Sequence, residues 1–406
     1  MEKTKHSAAG KRGAKVRSDC YIEIEEKKSG GIQLQIKSKV ESMYGKQIRK
    51  QILEMSKFFS LKNAKILIED AGALPFTIAA RFELAVKRLR PETRSEYLTE
   101  MNKANLYKTK KDRFRRSRLY LPGNEPKFYP NAGLHKPDGV ILDLEDSVAP
   151  TEKDAAQLLV RNALRTVNFY GAERMVRINQ LPKGLDDLNY IVPHNVHVIL
   201  IPKTESSEQI KAVEEKVNEL KKLHKIKNEI YFMPIIESAL GLMKAFEIAT
   251  ASKNNCALAI GLEDYTADIG TQRTKEEKES FMARSTIVAA AKAAGIQPID
   301  TVFSDVNDME GLRKSTEEVK LLGFEGKGCI HPRQIKIVHE AFAPTEQEIE
   351  KAKKIVTAFK EAKAKGLGVV SIGSKMIDAP VVKRAERTIE LAIQNNLLSK
   401  NWMRNN

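Results

Sequence analysis

The sequence predicts an α/β protein, a closed parallel (β/α)8 barrel of the TIM type preceded by a small α+β domain, on three observations. From residue 117 onward, eight short and almost continuously apolar runs alternate with longer stretches of helical periodicity, the pattern of a parallel sheet covered by helices. Acids and bases stand directly behind those runs, where barrel enzymes carry their chemistry. No Gly-x-Gly-x-x-Gly follows the first run, which counts against the competing doubly wound sheet.

In chain order, residues 21–26 and 32–37 alternate apolar and polar side chains around a Lys-Ser-Gly-Gly turn and read as a hairpin. Val40, Tyr44, Ile48, Ile52 and Met55 recur at helical spacing, residues 64–68 form an apolar strand, and 77–89 a second helix. This first domain spans 1–95 and ends near Arg90-Pro91. Residues 96–114 read as a basic linker crowded with Lys108, Lys110, Lys111 and Arg113. The barrel, with a C-terminal helical extension, takes 115–406. Its strands are expected at 118–121, 140–144, 175–179, 198–202, 230–236, 257–261, 299–302 and 328–330. Helices at 153–167, 207–223, 239–251 and 276–294 fall between them.

Composition narrows the partners. Over 406 residues, 42% apolar and 30% charged side chains are enough for a real core and exclude wholesale disorder. The 69 Lys and Arg against 53 Asp and Glu leave +16, which favours anionic partners. Apolar runs are broken by charge well before the roughly 18 residues a membrane span needs. Residues 1–15 are polar, without the apolar core of a secretory signal. Cys20, Cys256 and Cys329 are too few and too scattered for a disulfide framework or a zinc site. A cytoplasmic location is therefore expected.

The predicted strand ends carry Pro122-Gly123-Asn124, Asp143 with Glu145 and Asp146, Arg177 with Asn179, Lys203, Glu237, Glu263 with Asp264, and His331. Glu237 and Asp264 close neighbouring strands, spaced roughly 4.8 Å apart, so their carboxylates can meet at one cation. One or two carboxylates with water filling the rest is the habit of Mg2+. Capping helices or pairing with arginines is the structural alternative for these acids. It is stronger for Asp143, Glu145 and Asp146, which precede a helix. Arg177 suits either a rim ion pair or a substrate-carboxylate clamp. Lys203 is open to a Schiff-base role. His331 has no second histidine at ligand spacing and reads as a loop hydrogen-bonder.

These motifs resemble a known family. RRSRLYLPGN (115–124), ILDLEDSVAPTEKDAA (141–156), VRIN (176–179), IPKTES (201–206), IIESALG (235–241), IGLEDYTADIGTQRT (260–274), HPRQI (331–335) and SKMIDAPVVKRA (374–385) look like the citrate lyase beta chain, a citryl-thioester lyase of the HpcH/HpaI aldolase and citrate lyase family. RSDCYIEIEE, IQLQIKSKVESMYGKQIRKQILE and DAGALPFTIAARFELAV, within 17–89, resemble the citrate lyase gamma chain, an acyl carrier. The chain looks like a carrier and a lyase fused end to end.

The resemblance implies a citryl-carrier lyase that uses Mg2+ for retro-Claisen cleavage to oxaloacetate and an acetyl thioester. It implies Mg2+ on Glu237 and Asp264, a clamp at Arg177, and the Pro122-Gly123-Asn124 turn facing the cofactor arm. Lys203 joins the substrate-binding set and Glu145 the catalytic one. Asp378 matches an acid that reaches a neighbouring subunit's site, which implies a barrel homotrimer or larger complex. A covalent phosphoribosyl-dephospho-coenzyme A group would sit on Ser18, and a citrate lyase alpha (transferase) chain would load citrate. In the family pattern, Glu-Ser-Ser-Asp or Glu-Ser-Gly-Asp, the first serine is modified; here Arg17 stands at that place and Ser18 follows it, before Asp19. Malyl- or citramalyl-type thioesters are the alternative substrates within the same chemistry. A nucleic-acid-binding protein on an enzyme fold is the alternative from another class, and it lacks interleaved aromatics or a motif.

Overall fold

A computed structural model describes residues 5–274, 276–364, 370–372 and 375–403. They fall into two compact units, 1–308 with 321–335, and 309–320 with 336–406.

The first unit opens with a four-stranded sheet: β1 (His6–Gly10), β2 (Cys20–Glu26), β3 (Ile32–Ser38) and β4 (Ala64–Asp70), in the order β1-β2-β4-β3. The helices α1 (Glu41–Phe58) and α2 (Pro75–Leu89) belong to the same layer pair. The expected hairpin is a misreading: β2 and β3 do not pair, because β4 lies between them, antiparallel to β2 and parallel to β3. The alternating pattern of 21–26 and 32–37 fixed which faces are buried, but not who the neighbours are. β1 was hidden in a stretch read only as polar, since Ala8 and Ala9 give a weak alternation; it pairs antiparallel with β2. Ile22, Ile24, Ile66 and Ile68 of the sheet pack on Ile48, Ile52, Phe82 and Val86 of the helices.

All eight barrel strands form, close to where the apolar runs place them: β5 (Ser117–Pro122), β6 (Gly139–Asp143), β7 (Glu173–Arg177), β8 (Val198–Ile201), β9 (Tyr231–Ile236), β10 (Ala257–Ile260), β11 (Gln297–Val302) and β12 (Gly326–Cys329). They close in parallel, β12 pairing back to β5. The expected helix at 239–251 is two short helices, Ala239–Met243 and Ala245–Thr250, and the one at 276–294 begins only at Phe281.

The two halves of this unit share a core. Ala155, Leu158 and Leu159, from the barrel helix Lys153–Thr166, join the apolar cluster of the small domain. Beside them Arg161 donates to Glu83 of α2 at 2.7 and 2.9 Å with both side chains fully buried, and Arg88 holds Asp154 at 2.8 and 2.9 Å. The small domain is therefore docked on the barrel wall.

The basic segment before β5 is strapped to the barrel as well. Tyr107 donates to the Ala172 carbonyl at 2.5 Å and lies edge-on to His197, Arg113 donates to the Gly171 carbonyl, and Arg115 makes a buried pair with Glu173 at 2.7 Å. These partners stand at the N-terminal ends of β7 and β8, the face opposite the strand ends that carry the acids.

In the second unit, the helices Glu346–Ala364 and Ala379–Gln394 pack through Ile355, Val356, Val382, Ala385 and Ile389, with Trp402 against them. Among the described residues no helix is long and apolar enough to cross a membrane.

Candidate active site

Pro122, Asp143 and Arg177 stand level with one another at the C-terminal ends of β5, β6 and β7. The Pro122-Gly123-Asn124 turn is pressed onto β6: the Gly123 amide donates to the Asp143 carbonyl at 2.8 Å, and a Cβ on Gly123 would lie 2.4 Å from that oxygen. Pro122 lines the central cavity, and Asn124 is buried behind it.

Arg177 donates from Nε and Nη2 to the two carboxylate oxygens of Asp143, at 2.7 and 2.8 Å. This fork fixes the guanidinium plane and leaves Nη1 toward Glu145, whose Oε2 lies 2.8 Å away but off the hydrogen-bond line. Burial would push the Asp143 pKa up; hydrogen bonds and charge from Arg177, with the Ser147 side chain and the Glu145 amide, hold it below its ordinary value. Glu145 goes the other way: burial, with help from Asp146 and Asp143, raises its pKa against the pull of Arg177.

Lys203 follows β8 with φ +46, a left-handed conformation that aims its amide at Glu237 Oε2, 2.8 Å away. Its ammonium lies 3.2 Å from Asp264 and 3.9 Å from Glu145. Burial opposes the charge, but the hydrogen bond to Asp264 and the neighbouring acids raise the Lys203 pKa, so the amine is held as a cation rather than as a free nucleophile. The Schiff-base alternative has no support here.

Glu237 ends β9, and Asp264 sits in the first turn of the helix Leu262–Asp268 after β10, the adjacent parallel strand. Glu237 is 6% exposed. Burial, with Glu145 and Asp264 adding to it, raises its pKa to about 8 despite the Lys203 amide and Arg177. Burial beside the negative charges of Glu145 and Asp264 disfavours the ionised form of Glu237, a penalty that a bound cation would offset. Among the described residues no cluster of three or more His, Cys, Asp or Glu surrounds a common point. Two carboxylates such as Glu237 and Asp264 are oxygen donors of the kind that suits a hydrated Mg2+ better than zinc.

These groups converge on a cavity of about 350 Å³ lined by Pro122, Asp143, Arg177, Glu237 and Asp264. Other expected residues lie elsewhere. His331 accepts from the Arg333 amide at 3.2 Å, a loop hydrogen-bonder as read. Asp378 belongs to the second unit, where it caps the helix Ala379–Gln394 through the Val381 amide; Ser374, which opens its motif, lies outside the described residues. Ser18 is in the loop between β1 and β2, with φ +52 and its amide on the Ala71 carbonyl. The next residue, Asp19, makes a buried pair with Arg81, and Lys11 of the same loop pairs with Glu125, just beyond the Pro122-Gly123-Asn124 turn. Among the lining residues that the sequence does not single out, with Ser147, Asp300 and Thr301, is Arg118, on the inward register of β5 with Tyr120 and Pro122. A charged residue inside a barrel strand was the available signal.

A closed parallel barrel with carboxylates, a clamped arginine and a lysine converging at its strand C-terminal ends has the architecture of a barrel enzyme. Residues 116–332 match the model of the HpcH/HpaI aldolase/citrate lyase family, and the chain belongs to that family, an enzyme of carbon–carbon lyase type. Residues 8–89 match a second model, an acyl carrier family described as malonate decarboxylase delta subunit (MdcD). Citrate lyase subunit beta of Haemophilus influenzae is 43% identical over 283 residues, 69% of this chain and 97% of the relative. The same subunit of Leuconostoc mesenteroides is 41% identical over 290 residues, 71% and 96% of the two chains. The mitochondrial citramalyl-CoA lyase of Homo sapiens is 34% identical over 291 residues, 68% and 85%. Among solved structures, protein CitE of Mycobacterium tuberculosis, in complex with magnesium, acetoacetate and coenzyme A, is similar with a TM-score of 0.58 and 28% identity, over 69% of this chain and 98% of that one.

Proposed function

We propose that the chain is a Mg2+-dependent citryl-thioester lyase that releases oxaloacetate and an acetyl thioester. The observation that carries this reading is the buried Glu237 with its pKa raised to about 8 beside Asp264, facing the same cavity as Arg177. Relatives named citrate lyase subunit beta and the magnesium of the similar CitE structure support it. Citramalyl and malyl thioesters are the second reading, favoured by the relatives named for those lyases.

Glu237 and Asp264 would hold the ion, which when bound polarises the substrate hydroxyl and its neighbouring carboxylate. Arg177, locked by Asp143, orients the substrate carboxylate and offsets its charge. Glu145, with its raised proton affinity, takes the hydroxyl proton on a carboxylate oxygen. The carbon–carbon bond breaks, its electron pair passes to the thioester enolate, and a proton delivered to the enolate carbon completes the acetyl group. Asp378 is the donor the family resemblance assigns, from a neighbouring copy of the chain. Lys203 offsets the like charges of Asp264 and Glu145 and fixes Glu237 through its amide.

In this reading residues 1–95 are the carrier, 96–114 a strap and 115–406 the lyase. Ser18 bears a phosphoribosyl-dephospho-coenzyme A arm loaded by a separate transferase chain, and the protein works in the cytoplasm. The Lys11–Glu125 pair, which sets the Ser18 loop beside the turn after β5, supports that arrangement. E237Q and D264N are expected to lose Mg2+ binding by calorimetry and oxaloacetate release by at least about a hundredfold. Wild-type turnover in either variant, or full activity of the native chain in chelator, overturns the metal assignment.

A further inference from the structure

Arg118 enters the barrel interior at the start of β5 and forms part of the floor of the cavity that holds Arg177, Glu237 and Asp264. It is 2% exposed. One guanidinium nitrogen donates to the Asp300 carbonyl at 3.1 Å, another touches Met233 Sδ at 3.2 Å, and Nε has no partner. Among the described residues no carboxylate forms an ion pair with it. The Asp300 side chain nearby is already taken, by Arg284 at 3.0 Å and by Lys327, and Arg284 is shared with Glu277. The floor is thus one positive charge in excess.

A guanidinium does not shed its proton to escape burial, and in a dry interior without a counter-charge it is strongly unfavourable. Burial accordingly pulls the Arg118 pKa below its ordinary value. The space above it is open on one side only. Ile141, Met175, Leu200 and Met233 fill the barrel interior on the β6 to β9 side, whereas β10 and β12 offer Ala259, Gly261 and Gly328 to the cavity. Glu237, Asp264 and Arg118 thus line one and the same cavity. Arg118 is four residues below Pro122 along β5, about 13 Å at the usual rise before strand tilt shortens it, a span that an extended arginine and a short acid branch fill together.

We infer that Arg118 is a specificity-determining residue that receives a second carboxylate of the substrate, on the branch of the carbinol carbon that points away from the thioester. The inference rests on the lyase reading above and names the substrate within it. In a citryl thioester that branch is a carboxymethyl group, in a citramalyl thioester a methyl group, and in a malyl thioester a hydrogen. The first supplies the missing counter-charge; the others leave Arg118 as unpaired as it is in the empty cavity, and a site built to pair a polar group rejects analogues that lack it.

The test uses the full chain with Mg2+ and the coenzyme A thioesters of citrate, citramalate and malate. R118M is expected to lose at least about tenfold in kcat/KM on citryl-CoA and to hold or gain on citramalyl-CoA, while R118K retains part of the preference. An unchanged citryl-to-citramalyl ratio in R118M overturns the inference and leaves the lyase reading standing. Calorimetric binding of oxaloacetate and pyruvate to the wild-type chain needs neither turnover nor a variant. Tighter oxaloacetate supports Arg118; equal affinities overturn it even if R118M does not fold. A wild-type chain that cleaves none of the three thioesters removes the lyase reading, and the oxaloacetate-to-pyruvate ratio still decides on Arg118.

Discussion

The position of one glycine decides whether Glu237 can serve. Gly261 ends β10 opposite Glu237, and a Cβ there would lie 2.4 Å from Glu237 Oε1 and 2.8 Å from its Cγ. Neither atom can retreat freely, because Oε2 is fixed by the Lys203 amide in its left-handed turn. G261A therefore pushes the Glu237 carboxylate off its axis while leaving both proposed ligand residues in the sequence. The expected result is a Mg2+ affinity lowered about 10- to 100-fold, the usual cost of disturbing a ligand's support, with far-UV circular dichroism unchanged. Mg2+ titration at the wild-type affinity would sink this account. The other site residues show how far chemistry is legible from order alone. Glu237, Asp264, Arg177, Glu145 and Lys203 were found because they directly follow apolar runs, and the structure brings them together. Their roles were not legible: that Asp143 spends its charge on Arg177, and that Lys203 remains a cation, depends on distances across strands.

At the scale of elements, the interface between α2 and the helix Lys153–Thr166 makes the docked domain part of the enzyme. Glu83 and Arg161 are 78 residues apart in sequence and both fully buried, with Glu96 a third partner at 3.0 Å. Nothing in the local pattern of either helix announces the pair; each residue alone reads as a solvated charge on an amphipathic face. The same limit explains the false hairpin, since the order β1-β2-β4-β3 is set by a parallel crossover through α1 rather than by the turn between β2 and β3. The barrel strands were legible because a parallel sheet covered on both faces leaves continuous apolar runs that need no partner to be seen. Breaking the buried pair leaves Arg161 with only the partly exposed Glu96 as counter-charge. E83Q is expected to cost about 3–5 kcal/mol in urea unfolding, and E83M with R161M together to recover much of it. A change below about 1 kcal/mol in E83Q would mean that the charge is satisfied from elsewhere.

For the whole molecule, the docking sets what the carrier domain can do. A carrier-like domain whose core runs into the barrel helix cannot shuttle as a free body, so under the proposed function any swinging would fall to an arm on Ser18. The Ser18 loop stands beside the turn after β5, on the face of the candidate site, while the basic strap of residues 107–115 lies at the opposite ends of the strands. That strap, with Arg115 spent on Glu173, lies away from the candidate site. The loop that carries Ser18 is itself basic, with Lys11, Arg12, Lys15 and Arg17, of which Lys11 pairs with Glu125 beside the turn and Arg12 with Glu69. An arm fixed there keeps its thioester at a millimolar effective concentration at the cavity, provided it spans the gap. The native chain is then expected to show, by intact mass, an increment that S18A removes while the docked fold and Mg2+ binding persist. The left-handed backbone of Ser18 makes the control informative, because alanine keeps a side chain of similar bulk at φ +52 where glycine would relax it. A native chain at its sequence mass overturns attachment. The first domain is then a wall of the mouth, and the thioester reaches the barrel on a separate coenzyme or carrier.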